Sequence, residues 1–114
     1  MMSTFEKISS LESLQQQIRE SPALLVWFTA PGCNVCRDLK PRVAEMIANS
    51  FPRTTMKEVN CEEAREVAAQ HQIFTVPSLL IFLDGAEFIR KSRNFSVPQL
   101  AVELQRPYDL LFCE

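Results

Sequence analysis

The stretch ALLVWFT, residues 23–29, constrains the fold more than any other part of the chain. Its first six residues are apolar without a break. The run shows neither strict alternation nor a helical period, and it is rich in strand formers. A short continuous run of this kind is a strand buried on both faces, which needs helices on both sides of its sheet. It is far too short to cross a bilayer, which takes roughly twenty residues. The whole chain has 114 residues, enough for a single domain with one hydrophobic core.

The flanking pattern supplies those helices. Ser9 and Glu12 have capping-box spacing, and Leu11, Leu14 and Ile18 share a helical face, which predicts a first helix over about residues 10–20. Ser21 and Pro22 halt it. A second helix begins near Cys33 with an apolar stripe of Leu39, Val43, Met46 and Ile47, and Pro41 inside it is expected to produce a kink. TTMKEV reads as a strand, followed by a polar helix from about Glu62 to Gln70. SLLIFL and AEFIRK, joined by Asp84-Gly85, form a hairpin. Ser96 and Gln99 make a second capping box, with Pro98 tolerated in the first turn, and open a last helix to about Gln105. Pro107 is expected to end it, leaving residues 107–114 as an apolar tail. A short strand over Thr4–Ile8 is expected before the first helix.

Strands that alternate with helices become parallel neighbours through right-handed crossovers. The hairpin makes the sheet mixed. The expected fold is therefore α/β, a central mixed sheet of four to five strands with helices on both faces, spanning residues 1–114 as one domain.

Charge narrows the function. The net charge is −2 with no long run of one sign, whereas a nucleic-acid footprint needs a strongly basic face. The N-terminus lacks a basic start followed by an apolar stretch, so no secretory signal is expected and the cytoplasm is the default compartment. Thiols stay reduced there, and a close cysteine pair points to catalysis or metal binding before structure.

Cys33 and Cys36 are such a pair. Cys33 falls where a strand ends and a helix begins, and free N–H groups and the positive end of the helix dipole stabilise a thiolate. Lowering a thiol pKa from about 8.5 to about 7 corresponds to roughly 2 kcal/mol in favour of the anion. Such a thiol ionises near ambient pH, where exchange is fastest. Cys36 follows almost one turn later and is placed to attack a mixed disulfide. The spacing thus suits a nucleophile, Cys33, followed by a resolving thiol, Cys36. Zinc would need two further ligands, and Cys61, His71 and Cys113 are not paired at knuckle spacing, so no metal is expected. A purely structural disulfide would close a tiny loop and stabilise little. Cys61 is read as a small half-buried thiol, Cys113 as a terminal one, and His71 as a helix-end residue outside the chemistry.

The segments WFTAPGCNVCRDLKP and FTVPSLLIFLDG together resemble the thioredoxin family, and the resemblance covers essentially the whole chain. It implies a thioredoxin-like fold and a thiol–disulfide oxidoreductase that contributes to cell redox homeostasis. It implies further that Pro77 is a cis-proline facing the cysteines, with Val76 offering backbone hydrogen bonds to an extended client. Gly32, Asn34 and Val35 then belong to the client-binding surface. No bound cofactor is implied, since the electrons reside on the sulfurs. Partners are protein disulfides and a flavin-dependent reductase that recharges the pair, with the protein acting as a monomer.

Three departures from the family matter. Asn34-Val35 replaces the usual Gly-Pro between the cysteines, which leaves the redox poise open. The family's buried aspartate, six residues before the first cysteine, is Trp27 here, so Cys36 is expected to resolve more slowly than in a standard thioredoxin. Lys57 matches the lysine near that carboxylate, but its partner is gone. After the hairpin, KSRNF places Arg93 or Asn94 where the family has a glycine, which narrows the groove and favours acidic clients; a solvated basic loop is the plainer reading. Two alternatives stand beside the enzyme: a non-catalytic adaptor that binds clients without turnover, and a glutaredoxin-like reductase. The second is weakened because the chain's two glycines, Gly32 and Gly85, provide no glycine pair after the hairpin.

Overall fold

A computed structural model describes residues 5–113. Among them, β1 (Glu6–Lys7), α1 (Leu11–Glu20), β2 (Ala23–Thr29), α2 (Asn34–Ser50), β3 (Thr55–Asn60), α3 (Arg65–Gln70), β4 (Ser78–Leu83), β5 (Ala86–Ser92) and α4 (Val97–Leu111) follow one another. The strands form a five-stranded sheet in the order β1-β3-β2-β4-β5. β3 pairs parallel with both β1 and β2, while β4 is antiparallel to β2 and β5 to β4. The expected mixed α/β sheet is therefore present. The early strand is confined to Glu6–Lys7, and Thr4 lies outside the described residues.

β2 lies between β3 and β4, and Ala23 through Phe28 are all buried, as the unbroken apolar run requires. Its side chains divide between two cores. Leu25 and Trp27 pack with Cys36, Leu39, Val43, Ile47, Leu100 and Leu104 under α2 and α4. Leu24, Val26 and Phe28 pack with Leu14, Val67 and Ala68 under α1 and α3. The hairpin turns through Asp84 and Gly85, both at positive φ (54° and 83°), the conformation that favours an Asp-Gly pair.

Three further boundaries differ from expectation. The first cap is Ser10, whose side chain accepts from Ser13 N–H at 3.1 Å, and not Ser9. The Ile8 N–H still donates to the Glu58 carbonyl, so the chain stays extended past β1 and the helix opens later. α3 begins at Arg65 because the Asn60 side chain accepts from the N–H groups of Glu62 and Glu63 and holds that segment in a turn. The third difference is larger: Pro107 does not end α4, which continues to Leu111, so residues 107–111 are helix and not tail. Tyr108 is buried edge-on against Phe51 with centroids 5.0 Å apart, and its hydroxyl accepts from the Arg53 N–H at 2.9 Å. Phe112 packs tilted against Tyr108, ring centroids 4.8 Å apart. Tertiary packing thus outweighs the roughly 3 kcal/mol that a helix-interior proline costs. α2 likewise runs through Pro41, held by buried Leu39, Val43 and Ile47.

Candidate redox site

The site forms where β2 gives way to α2. Gly32 adopts φ +80°, and the chain then enters the helix with Cys33 as its N-cap. The Cys33 Sγ accepts the backbone N–H of Cys36 at 3.2 Å. The sulfur thus occupies the place a serine oxygen takes in an ordinary cap, among the free amides of the helix tip. Cys33 and Cys36 are joined by a disulfide, their Cα atoms 5.3 Å apart. Cys33 is half-buried and Cys36 buried, so the first sulfur of the pair is the one within reach of a partner.

The loop before β4 packs against the same core as the cysteines. The Val76–Pro77 bond is cis, and Val76 packs with Cys33 against the core that contains Cys36. Arg93 N–H donates to the Pro77 carbonyl at 2.7 Å, which ties the loop after β5 to the same place. Arg93 is exposed and holds φ +63°, the left-handed region that favours glycine. Gly32, Asn34 and Val35 are exposed around the disulfide. The two cysteines and the six expected client-surface residues thus lie on three segments, two of them joined by the Arg93–Pro77 bond.

Below the disulfide lies Trp27. It is fully buried between Phe5 and Phe95, with ring centroids 6.2 and 6.4 Å away, and its Nε1–H has no partner among the described residues. Lys57 does not serve this face. Val59, two residues on, packs in the α1–α3 core, and Lys57 pairs with Glu6. The charged residue beside Trp27 is its strand partner Glu58, paired with Lys40 of α2. Neither Lys40 nor Glu58 stood out in sequence, though Lys40 follows Cys36 by one helical turn. Phe74, 85 % exposed in the loop before Pro77, was also not anticipated.

The remaining thiols and the histidine stand apart. Cys61 is half-buried, its N–H donates to the Thr29 carbonyl, and burial pushes its thiol pKa up, away from reactivity. Cys113 is exposed near the C-terminus. His71 caps α3, its Nδ1 3.0 Å from the Val67 carbonyl and its ring beside Phe28 and Phe82. Among the described residues no group of three or more His, Cys, Asp or Glu side chains is placed to hold a metal ion. No described helix is long and apolar enough to cross a membrane.

The thioredoxin family model matches residues 6–105. The chain belongs to the thioredoxin family. A Bacillus subtilis thioredoxin-like protein, YdfQ, is 34 % identical over 103 residues, covering 90 % of this chain and 91 % of its own. Thioredoxin 1 of Synechococcus elongatus is 33 % identical over 84 residues, 74 % of this chain and 78 % of its own. In fold, Fasciola hepatica thioredoxin superimposes with a TM-score of 0.77 at 24 % identity, covering 90 % of this chain and 98 % of that one. A thioredoxin domain that carries Cys33 and Cys36 as a disulfide is a thiol–disulfide oxidoreductase, and the family acts on protein disulfides.

Proposed function

We propose that this thioredoxin reduces client protein disulfides with Cys33 as nucleophile and Cys36 as resolving thiol. The observation that carries the assignment is the Cys33 sulfur accepting the Cys36 N–H at the tip of α2. In the dithiol form the same amide and helix dipole favour a Cys33 thiolate. That thiolate attacks one client sulfur; a Cys33–client bond forms, and the other client sulfur leaves as a thiolate. Cys36 then attacks Cys33, re-forming the intramolecular disulfide and releasing the reduced client. Burial of Cys36 and partial exposure of Cys33 support that order of roles.

Gly32, Asn34 and Val35, exposed beside the disulfide, serve with Val76 as the client surface, the Val76 backbone beside Pro77 pairing with an extended client segment. No bound cofactor takes part. A flavin-dependent disulfide reductase returns electrons to the pair, and the protein works as a cytoplasmic monomer. Turnover coupled to such a reductase, NADPH and insulin tests this reading, with steady NADPH consumption expected. Turnover supported only by glutathione and its reductase would move the protein to the glutaredoxin alternative.

Arg93 sets client preference by placing a cation at the rim. Because its φ of +63° suits glycine, Arg93→Gly relieves a backbone cost of about 1 kcal/mol and leaves the fold intact. The expected result is an unchanged or raised melting temperature together with a loss of preference for acidic over basic disulfide peptides. Equal kinetics on both peptide types before and after substitution would remove Arg93 from client selection.

A further inference from the structure

The Lys40–Glu58 ion pair belongs to the face of the sheet that carries the disulfide. Cys36 and Lys40 are four residues apart on α2 and so share one stripe of the helix, with Cβ atoms about 5–6 Å apart. Glu58 is the Cα partner of Trp27 in the β2–β3 ladder, and Trp27 and Cys36 pack in one core. The Lys40 ammonium pairs with Glu58 and lies 5.3 Å from the centre of the Phe5 ring, which in turn packs on Trp27. The pair is sheltered, with side-chain exposures of 35 % for Lys40 and 13 % for Glu58.

Other charges are placed differently. β2 and β4 present no ionisable side chain to Cys36, being buried apolar strands capped by Thr29 and Ser78. Arg37 and Arg93 are exposed, and Asp38 pairs with Arg42 in solvent. Lys91 pairs with Glu103, joining β5 to α4, and Lys57 pairs with Glu6. Lys40 and Glu58 are thus the sheltered charges nearest along α2 and across the ladder.

We propose that this pair sets the ionisation of Cys36, and with it the rate at which the mixed disulfide is resolved. The inference rests on Cys36 being the resolving thiol. Cys36 is 5 % exposed, and burial disfavours its thiolate. A cation one helical turn away favours the thiolate; the carboxylate that holds this cation opposes it. The balance determines how much Cys36 is anionic when the client is bound through Cys33. Its proton goes to solvent, the Cys36 sulfur bonds to Cys33, the Cys33–client bond breaks, and the client sulfur departs as a thiolate that solvent protonates. Lys40 and Glu58 touch neither client nor sulfur and are positioning residues.

Two substitutions must then act with opposite sign. Glu58→Gln leaves the cation unopposed, so closure is expected to be about three- to tenfold faster below the pH midpoint, which moves to lower pH. Lys40→Gln leaves the carboxylate unopposed, with closure slower by a similar factor and the midpoint moved higher. Lys40→Arg, which keeps the charge, should retain the wild-type profile. The test mixes reduced protein in a Cys113→Ser background with excess 5,5′-dithiobis(2-nitrobenzoate) and follows the second, unimolecular phase by Trp27 fluorescence from pH 5 to 9. A mere packing role would shift both variants the same way, or neither, and either outcome overturns the proposal, as does a Lys40→Arg profile matching Lys40→Gln. Absence of a closure phase in the wild type would instead overturn the resolving role of Cys36, which separates the two failures.

Discussion

Cys33→Ser is expected to reduce the rate of insulin disulfide reduction by dithiothreitol to that seen without protein. A serine hydroxyl is not ionised near neutral pH and cannot form the mixed disulfide, so the loss should be on the order of a thousandfold or more. Cys36→Ser separates the two roles. It keeps the Cys33 sulfur at the tip of α2 and therefore keeps the first step, but a client attacked by Cys33 then stays attached. The expected product is a stable covalent complex, seen as a shifted band that dithiothreitol removes, with negligible turnover. Wild type and Cys33→Ser both running at the protein-free rate would mean that the domain holds clients without reducing them, which is the adaptor alternative.

The second large effect is on stability, at Trp27. Its indole is fully exposed to the core and to no solvent, between Phe5 and Phe95 and beneath α2. Trp27→Ala should cost about 3–5 kcal/mol, a large share of the 5–15 kcal/mol typical of a domain. Trp27→Phe should cost far less, about 1 kcal/mol. Phenylalanine keeps most of the ring contacts and deletes an N–H that has no partner among the described residues, and an unsatisfied buried donor carries a penalty of about 1–3 kcal/mol. Urea unfolding midpoints of the two variants check this. Equal losses for Ala and Phe would contradict this, because the ring contacts that Phe keeps would then contribute nothing.

What could be read from sequence follows the range of the interactions that decide it. β2 and the β4–β5 hairpin were legible because an unbroken apolar run and an Asp-Gly turn are local signals. The redox pair was legible for the same reason, since Cys33 and Cys36 lie within one helical turn. Pro107 misled because its local cost is outweighed by Tyr108 docking on Phe51, a contact between distant parts of the chain. The choice between Lys57 and Glu58 also lay beyond local pattern. Side chains alternate between the faces of a strand, so the β2–β3 register alone decides which residue meets Trp27. The cis Val76–Pro77 bond and the packing of Val76 on the core that holds Cys36 were expected through family resemblance alone, because no spacing within one segment encodes them. Arg93 marks the limit of composition-based reading: an arginine in left-handed backbone carries no local signal, and only the glycine expected at that place pointed to it.

The most direct test is the pH dependence of alkylation, read residue by residue. Reduced protein is treated briefly with iodoacetamide across a pH series, and the labelled cysteine is located by mass spectrometry. Labelling first at Cys33, rising to a plateau near neutral pH and ahead of exposed Cys113, is the expected result. Cys33 that stays unlabelled until pH 9 or above, while Cys113 reacts first, would contradict the account.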